Sequence, residues 1–281
     1  MLLSYLHTYP DTVESVAWVD GDWTITVGGQ PFYWSEGRIL PEDKRQNWSA
    51  YRPHAFAVYP ASVPNPQFFS SEEIEAVRRL GSLEAQDTED HDRSFQAALY
   101  GGIARLEIEN NLERVVFLDH RITVHSRLVE PLGRVEEHIR ASAQENRETA
   151  EFLSLIRSIG GYNWRDIQGT ARMSYHSWGL AVDILCQIST LPAVYWLWER
   201  GRNEDWALVP LSQRWAPPDA VIEAFEQEGF IWGGKWALYD NMHFEYRPEL
   251  HEINRILASQ EEITQPLHTA LLELHHILPG N

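Results

Sequence analysis

Histidine and carboxylate side chains occur at close spacing in two segments of the chain. The first segment contains His176 and Asp183, and the second contains Asp240, His243 and Glu245. Two histidines and one carboxylate form the ligand set of many catalytic zinc sites, in which the fourth coordination position stays open for water. The residue types and spacing therefore predict one catalytic Zn²⁺ ion held by His176, Asp183 and His243.

The pattern around Asp183 predicts a strand that presents this carboxylate beside open space. From Gly179 onward apolar residues alternate with small ones, so Gly179, Ala181 and Asp183 share one face of the strand. Their small side chains leave room for a group that approaches the backbone closely. His176 lies in the turn before this strand, and we expect it to fold back toward the same point.

A second strand is predicted at the other segment. Residues 242–246 alternate in the same way, which places His243 and Glu245 on the face opposite Phe244. We expect Glu245 to support the neighbouring histidine rather than to bind the metal. Asp240 precedes His243 by three residues, within reach of a water molecule on the zinc. Because zinc lowers the pKa of such a water to about 7, a nearby carboxylate is a competent general base, and we assign this role to Asp240.

The two segments resemble the motifs of the VanY/VanX-type D-alanyl-D-alanine carboxypeptidase family of zinc peptidases. This family includes L-alanyl-D-glutamate endolysins and shares its fold with the hedgehog signalling domain. Its pattern S-x-H-x-x-G-x-A-x-D is filled here by Ser174, His176, Gly179, Ala181 and Asp183. The distal carboxylate-x-x-H pair is Asp240 and His243. The resemblance covers roughly residues 150–250, and it implies the same three ligands and the same base.

The resemblance also implies roles for residues outside the ligand set. Gly161 and Tyr162 look like the start of the family's Gly-Tyr-Arg element, with two residues inserted before Arg165. The arginine of this element neutralises negative charge on the substrate or on the tetrahedral intermediate. The role falls to Arg165, with Arg172 as the competing candidate. Ser174 is expected to orient the site by hydrogen bonding.

The bond that is cleaved stays open between two possibilities. The base is glutamate in the VanY and VanX branches, whereas Asp240 corresponds to the aspartate of the endolysin-like branch. The resemblance implies a zinc metallopeptidase that acts on peptidoglycan stem peptides, as a D-alanyl-D-alanine carboxypeptidase or as an L-alanyl-D-glutamate endopeptidase. The alternative is a catalytically inactive zinc-containing module of the same fold that binds cell wall or protein. The presence of Asp240 favours the enzyme.

Two tryptophans near the motifs have two possible roles. The chain contains 12 tryptophans, and large aromatic side chains either pack in cores or line clefts that hold peptides. Trp178 lies within the first motif and Trp236 lies shortly before the second. Both roles, core packing and contact with the substrate, are open for these two residues.

The net charge and the hydropathy of the chain limit the kinds of binding partner that we expect for it. The formal net charge of −18 repels phosphate backbones, so nucleic acid is not an expected partner. The chain has no run of about 18 apolar residues, so no membrane span is expected. Its first residues lack the basic and apolar regions of an intact signal peptide. By analogy with the family we expect a location in the cell envelope or periplasm, and the sequence leaves the oligomeric state open.

The order of predicted elements is typical of an α+β fold, with helices packed on a mainly antiparallel sheet as in the hedgehog and D,D-peptidase fold. Alternating residues and turn signals between residues 14 and 40 predict a β-rich N-terminal module, which we place in residues 1–65. Residues 66–281 are the predicted zinc peptidase domain, with the metal motifs within 150–250. Helices are expected from a cap at Ser71, from 132 to about 140, over 149–159, and from Asp219 to a stop at Gly229.

Overall fold

The structure is a computed structural model that describes residues 1–53, 58–82, 92–167, 172–187 and 192–261. Across these residues helices combine with antiparallel sheets, which confirms the predicted α+β class. The described part contains two four-stranded sheets and one two-stranded sheet. It contains no helix that is both long and apolar enough to cross a membrane.

The N-terminal sheet is an antiparallel meander, as the alternation between residues 14 and 40 predicts. Its strands are β1 (Val13–Val19), β2 (Asp22–Val27), β3 (Gln30–Ser35) and β4 (Arg38–Pro41), paired in that order. The first hairpin turns at Gly21, whose φ of 84° lies in the left-handed region that tight hairpin turns require.

The helices of the described part pack around these sheets. They are α1 (Leu2–Thr8), α2 (Glu42–Arg45), α3 (Ser71–Leu80), α4 (Ser94–Tyr100), α5 (Arg105–Glu109), α6 (Val129–Glu145), α7 (Arg147–Leu155), α8 (Trp196–Arg200), α9 (Asp219–Gln227) and α10 (Pro248–Glu261). The predicted start of α9 at Asp219 is confirmed. α6 is longer than the predicted helix from 132 to about 140. The cap of α3 is Ser70 rather than Ser71, because the Ser70 hydroxyl accepts the N–H of Glu73.

The prediction of a helix over residues 149–159 is wrong for its second half. α7 ends at Leu155, and the chain continues directly as strand β7 (Ile156–Gly160). Apolar residues at helical spacing extend into this segment and predict a helix there. The backbone instead pairs with a distant strand, with Gly160 opposite Asp183, and this ladder satisfies the backbone groups that a longer helix would have satisfied.

The sheet that contains the metal motifs has the order β7, β8, β10, β9. β8 spans Ala181–Cys186, β9 spans Phe230–Trp232 and β10 spans His243–Tyr246, and all neighbouring pairs are antiparallel. β8 and β10 are in a register that places His243 directly opposite Asp183. This pairing brings the two sequence motifs together. A separate hairpin, β5 (Leu112–Phe117) with β6 (His120–His125), completes the described sheets.

One apolar core connects the N-terminal elements with the sheet of the metal motifs. Ile25 and Phe32 of the N-terminal sheet are fully buried, and they belong to the same buried cluster as Phe244 in β10. Phe244 stacks on Phe225 of α9 with ring centroids 3.9 Å apart. The division at residue 65 stays a prediction.

Candidate metal centre

The side chains of His176, Asp183 and His243 converge at one point of the β8–β10 pair. Nε2 of His176 lies 3.1 Å from Oδ2 of Asp183, and Nδ1 of His243 lies 2.9 Å from Oδ1 of Asp183. The two histidine nitrogens are 3.2 Å apart. The three residues that the sequence spacing singles out are therefore neighbours in space.

This cluster has the dimensions of a tetrahedral zinc site. Nitrogen and oxygen ligands at zinc bond lengths, arranged tetrahedrally, stand about 3.3 Å from one another. The two histidine nitrogens are 3.2 Å apart, and each lies 2.9 or 3.1 Å from a different oxygen of Asp183, so a small movement of the side chains would admit the ion with one of these oxygens as a ligand. Among the described residues, these three form the group of histidine and acidic side chains that could hold a metal ion.

Hydrogen bonds on the far side of each imidazole fix which nitrogen faces the cluster. Nδ1 of His176 lies 2.7 Å from the carbonyl oxygen of Gly161, and Nε2 of His243 lies 3.2 Å from Oε2 of Glu245. Both partners are acceptors, so each of these nitrogens has the proton. The opposite nitrogens, Nε2 of His176 and Nδ1 of His243, then direct lone pairs into the site, as metal-ligating histidines do.

The turn that presents His176 depends on Ser174 and Gly179. Residues 175–178 form a short 3-10 turn, and the buried Ser174 hydroxyl accepts the backbone N–H of His176 at 3.3 Å. Gly179 ends the turn with φ of 69°, so the strand begins at Ala181 rather than at Gly179. The group that approaches Gly179 closely is the backbone of His125, since a Cβ on the glycine would lie 2.7 Å from that nitrogen.

Asp240 lies beside the cluster, just before β10. Its backbone N–H donates to the carbonyl of Gly233 at 3.0 Å. Burial and the negative charge of Asp183 raise the pKa of Asp240 to about 7, although the charges of His243 and Arg165 act in the opposite direction. Its Oδ1 atom is buried and has no hydrogen-bond partner among the described residues. A buried carboxylate oxygen of this kind needs a water molecule or a substrate group as its partner.

The loop with Arg165 is attached to the His176 turn through Ser177. The fully buried Ser177 hydroxyl donates to the carbonyl of Arg165 at 2.6 Å and accepts its N–H at 2.8 Å. Arg165 itself is exposed, and its charge reaches Asp240. Arg172 is half-buried, and its carbonyl accepts the N–H of Ile167 at 2.8 Å. The sequence analysis did not predict a role for Ser177, and the only feature of the sequence that indicates one is its position next to His176.

Glu245 connects His243 to a buried charge network that the sequence reading also missed. Its Oε1 atom accepts a hydrogen bond from Arg247 at 3.0 Å, and Arg247 also pairs with Glu249. Glu245 is 3% exposed and Glu249 is fully buried. Tyr9, directly after α1, donates to Glu249 at 2.9 Å. The N-terminal segment thus contacts the network that supports His243.

The two tryptophans near the motifs differ in their surroundings. Trp178 is buried, its Nε1 donates to the carbonyl of Gly102, and its ring packs against Tyr100 and Tyr175. Trp236 is also buried, and its ring centroid lies 5.4 Å from that of His243. Trp178 therefore packs in the core, whereas Trp236 packs against a candidate ligand.

Comparison with known proteins gives two partial matches. Residues 168–246 match a family model described as D-alanyl-D-alanine carboxypeptidase, and residues 1–56 match a domain of unknown function. No curated protein and no solved structure matches the chain significantly. The first match includes the three ligand candidates and Asp240. It confirms the resemblance to the D-alanyl-D-alanine carboxypeptidase family over this segment of the chain.

Proposed function

We propose that the chain is a zinc metallopeptidase that hydrolyses peptide bonds in peptidoglycan stem peptides. The observation that carries the proposal is the convergence of His176, Asp183 and His243 next to the unpartnered Oδ1 of Asp240. The two histidine nitrogens are 3.2 Å apart, and each lies within 3.1 Å of an oxygen of Asp183. A structural metal site would have no need of a buried carboxylate oxygen beside it. The family match supports a peptidase.

In the proposed mechanism His176, Asp183 and His243 hold one Zn²⁺ ion. When bound, the ion polarises the carbonyl of the substrate and acidifies a water molecule. Asp240 accepts a proton as the water oxygen bonds to the carbonyl carbon, and it passes that proton to the amine nitrogen as the C–N bond breaks. Arg165 stabilises the negative charge that develops on the carbonyl oxygen.

The proposal also covers which peptide bond is cleaved and where in the cell the protein acts. The description of the matching family names D-alanyl-D-alanine as the bond. The aspartate at position 240 corresponds to the endolysin-like branch and favours cleavage between L-alanine and D-glutamate. Either substrate is part of the cell wall, so we propose that the protein acts in the cell envelope or periplasm. The net charge of −18 is consistent with a partner other than nucleic acid.

The test is to incubate the zinc-loaded protein with purified muropeptides and to analyse the products by mass spectrometry. Release of D-alanine identifies a carboxypeptidase, and a cut after L-alanine identifies an endopeptidase. His176→Ala should abolish both cleavage and zinc binding, while His138→Ala, on the exposed side of α6, should change neither. Intact muropeptides after incubation with zinc-loaded wild-type protein would contradict the proposal and favour the inactive binding module.

A further inference from the structure

Tyr195 lies next to the candidate base Asp240, although Tyr195 belongs to none of the sequence motifs. It lies in an isolated antiparallel bridge directly opposite Asp240, just before α8. Two backbone hydrogen bonds flank the bridge, from Asn241 N–H to Val194 O at 2.9 Å and from Trp196 N–H to Tyr239 O at 3.0 Å. The neighbours of Tyr195 and Asp240, rather than the two residues themselves, make these bonds.

This hydrogen-bond pattern determines the backbone separation of Tyr195 and Asp240 and the face on which their side chains lie. A directly opposed pair whose own backbone groups do not bond to each other has the shorter Cα separation, about 4.5 Å, of the two kinds of antiparallel pair. Opposed residues also project from the same face. The side chain of Tyr195 therefore runs beside the carboxylate of Asp240.

The charged groups that act on the Tyr195 hydroxyl are residues of the candidate metal centre. Burial and the charge of Asp240 raise the pKa of Tyr195 to about 12, with further effects from Arg165 and Asp183. The phenol therefore stays protonated at neutral pH and can act as a hydrogen-bond donor. Tyr195 is only half-buried, and its hydroxyl has no hydrogen-bond partner among the described residues.

Two buried tyrosines elsewhere in the protein have partners for their hydroxyls. Tyr9 donates to Glu249, and Tyr59 donates to Glu226. Tyr195 differs from these two because its hydroxyl has no partner among the described residues and its residue lies directly opposite the candidate base Asp240. A neutral donor in this position can bond to an oxygen that gains negative charge only during the reaction, and such a bond contributes more to turnover than to substrate binding.

We propose that Tyr195 is a catalytic residue whose hydroxyl donates a hydrogen bond to the oxygen of the scissile carbonyl as that carbonyl is attacked. The proposal rests on the proposed peptidase function. Tyr195 and Arg165 then stabilise the same oxygen, while Asp240 moves the proton. Tyr195 itself neither gains nor loses a proton in the reaction.

The first measurement compares the muropeptide kinetics of wild-type protein with those of Tyr195→Phe. Removing a single donor to a developing oxyanion lowers kcat by about 10²–10³-fold, and we expect KM and zinc content to stay within about twofold. The matched control is Tyr33→Phe in β3, which also removes one hydroxyl, but from the N-terminal sheet. Its kcat should equal that of the wild type.

The second measurement separates a catalytic role from a structural one. The probe is a phosphinate peptide in which a tetrahedral phosphorus replaces the carbonyl carbon of the bond that the wild-type protein cleaves. Calorimetry should show at least about tenfold weaker binding of this probe to Tyr195→Phe, with unchanged binding of the product peptide. Damage to the fold would weaken the binding of both.

The outcomes distinguish the two proposals. If both wild-type and Tyr195→Phe proteins cleave muropeptides with kcat within twofold of each other, the role of Tyr195 is overturned and the peptidase function stands. Equal loss of affinity for probe and product also overturns the catalytic role, because the hydroxyl would then serve substrate binding or folding. If the wild-type protein cleaves nothing, the peptidase function falls and the role of Tyr195 falls with it.

Discussion

Glu245 accepts the Nε2 proton of His243 across 3.2 Å, on the side of the ring opposite the candidate metal site. This contact fixes the tautomer that leaves Nδ1 free to bind a metal. A carboxylate in this position also makes the imidazole a stronger ligand. Because the two residues alternate along β10, the contact follows from strand geometry.

The contact predicts a contribution of Glu245 to zinc affinity. Glu245→Gln keeps the shape of the side chain but removes its charge, and we expect zinc affinity to fall by about 10–100-fold. Competition with a chelator of known zinc affinity measures the change. Glu113→Gln, on the exposed side of β5, is the control and should bind zinc as the wild type does. Equal affinity in the two variants would show that Glu245 does not support the site.

Asp240 is expected to act on turnover and not on metal binding. Asp240→Asn cannot accept the proton of the attacking water, so turnover of muropeptides should fall by about 10²–10⁴-fold. The zinc content, measured by elemental analysis, should stay at one ion per chain. Asp43→Asn, at an exposed position of α2, should retain full turnover. Normal turnover by Asp240→Asn would mean that another group is the base.

Arg247 is expected to contribute to stability. It lies between the buried carboxylates of Glu245 and Glu249 and over the ring of Tyr175. Arg247→Met would leave both carboxylates buried without their cation, which costs about 3–5 kcal/mol in the free energy of unfolding. Denaturant titration measures this loss. Arg114→Met, at an exposed position of β5, should change the free energy of unfolding by less than about 0.5 kcal/mol.

The thiol of Cys186 at the end of β8 gives a prediction about pH. Burial raises its pKa to about 11. At pH 8 roughly one thiol in a thousand is therefore ionised, and the rate of alkylation should rise about tenfold per pH unit until the pH approaches 11. Iodoacetamide labelling followed by mass spectrometry measures the rate. Labelling at pH 8 as rapid as that of free cysteine would show that Cys186 is not buried in this way.

The sequence predicts the ligand cluster because its geometry is mostly local. Asp183 and His243 each lie in an alternating segment, so the face on which each lies can be predicted before the fold is known. The family motif supplies what alternation cannot, namely that the two strands pair with these residues opposite each other. The orientation of Glu245 toward His243 follows from the same two-residue period.

Other parts of the site depend on contacts between distant segments. Residues 156–159 have helical spacing but form a strand, because β8 provides backbone partners that are far away in the sequence. Tyr195 meets Asp240 through one isolated bridge, and Tyr9 meets Glu249 across 240 positions. No local pattern indicates such pairs, so the sequence predicts the ligands and the base but not the groups around them.

The most direct test of the metal centre, on which the proposed function depends, is a zinc-edge anomalous difference map from crystals of the zinc-loaded protein. We predict one strong peak at about 2.0–2.2 Å from Nε2 of His176, Nδ1 of His243 and a carboxylate oxygen of Asp183. A map without a peak between these three side chains, or with the zinc bound by other residues, would contradict the proposed function.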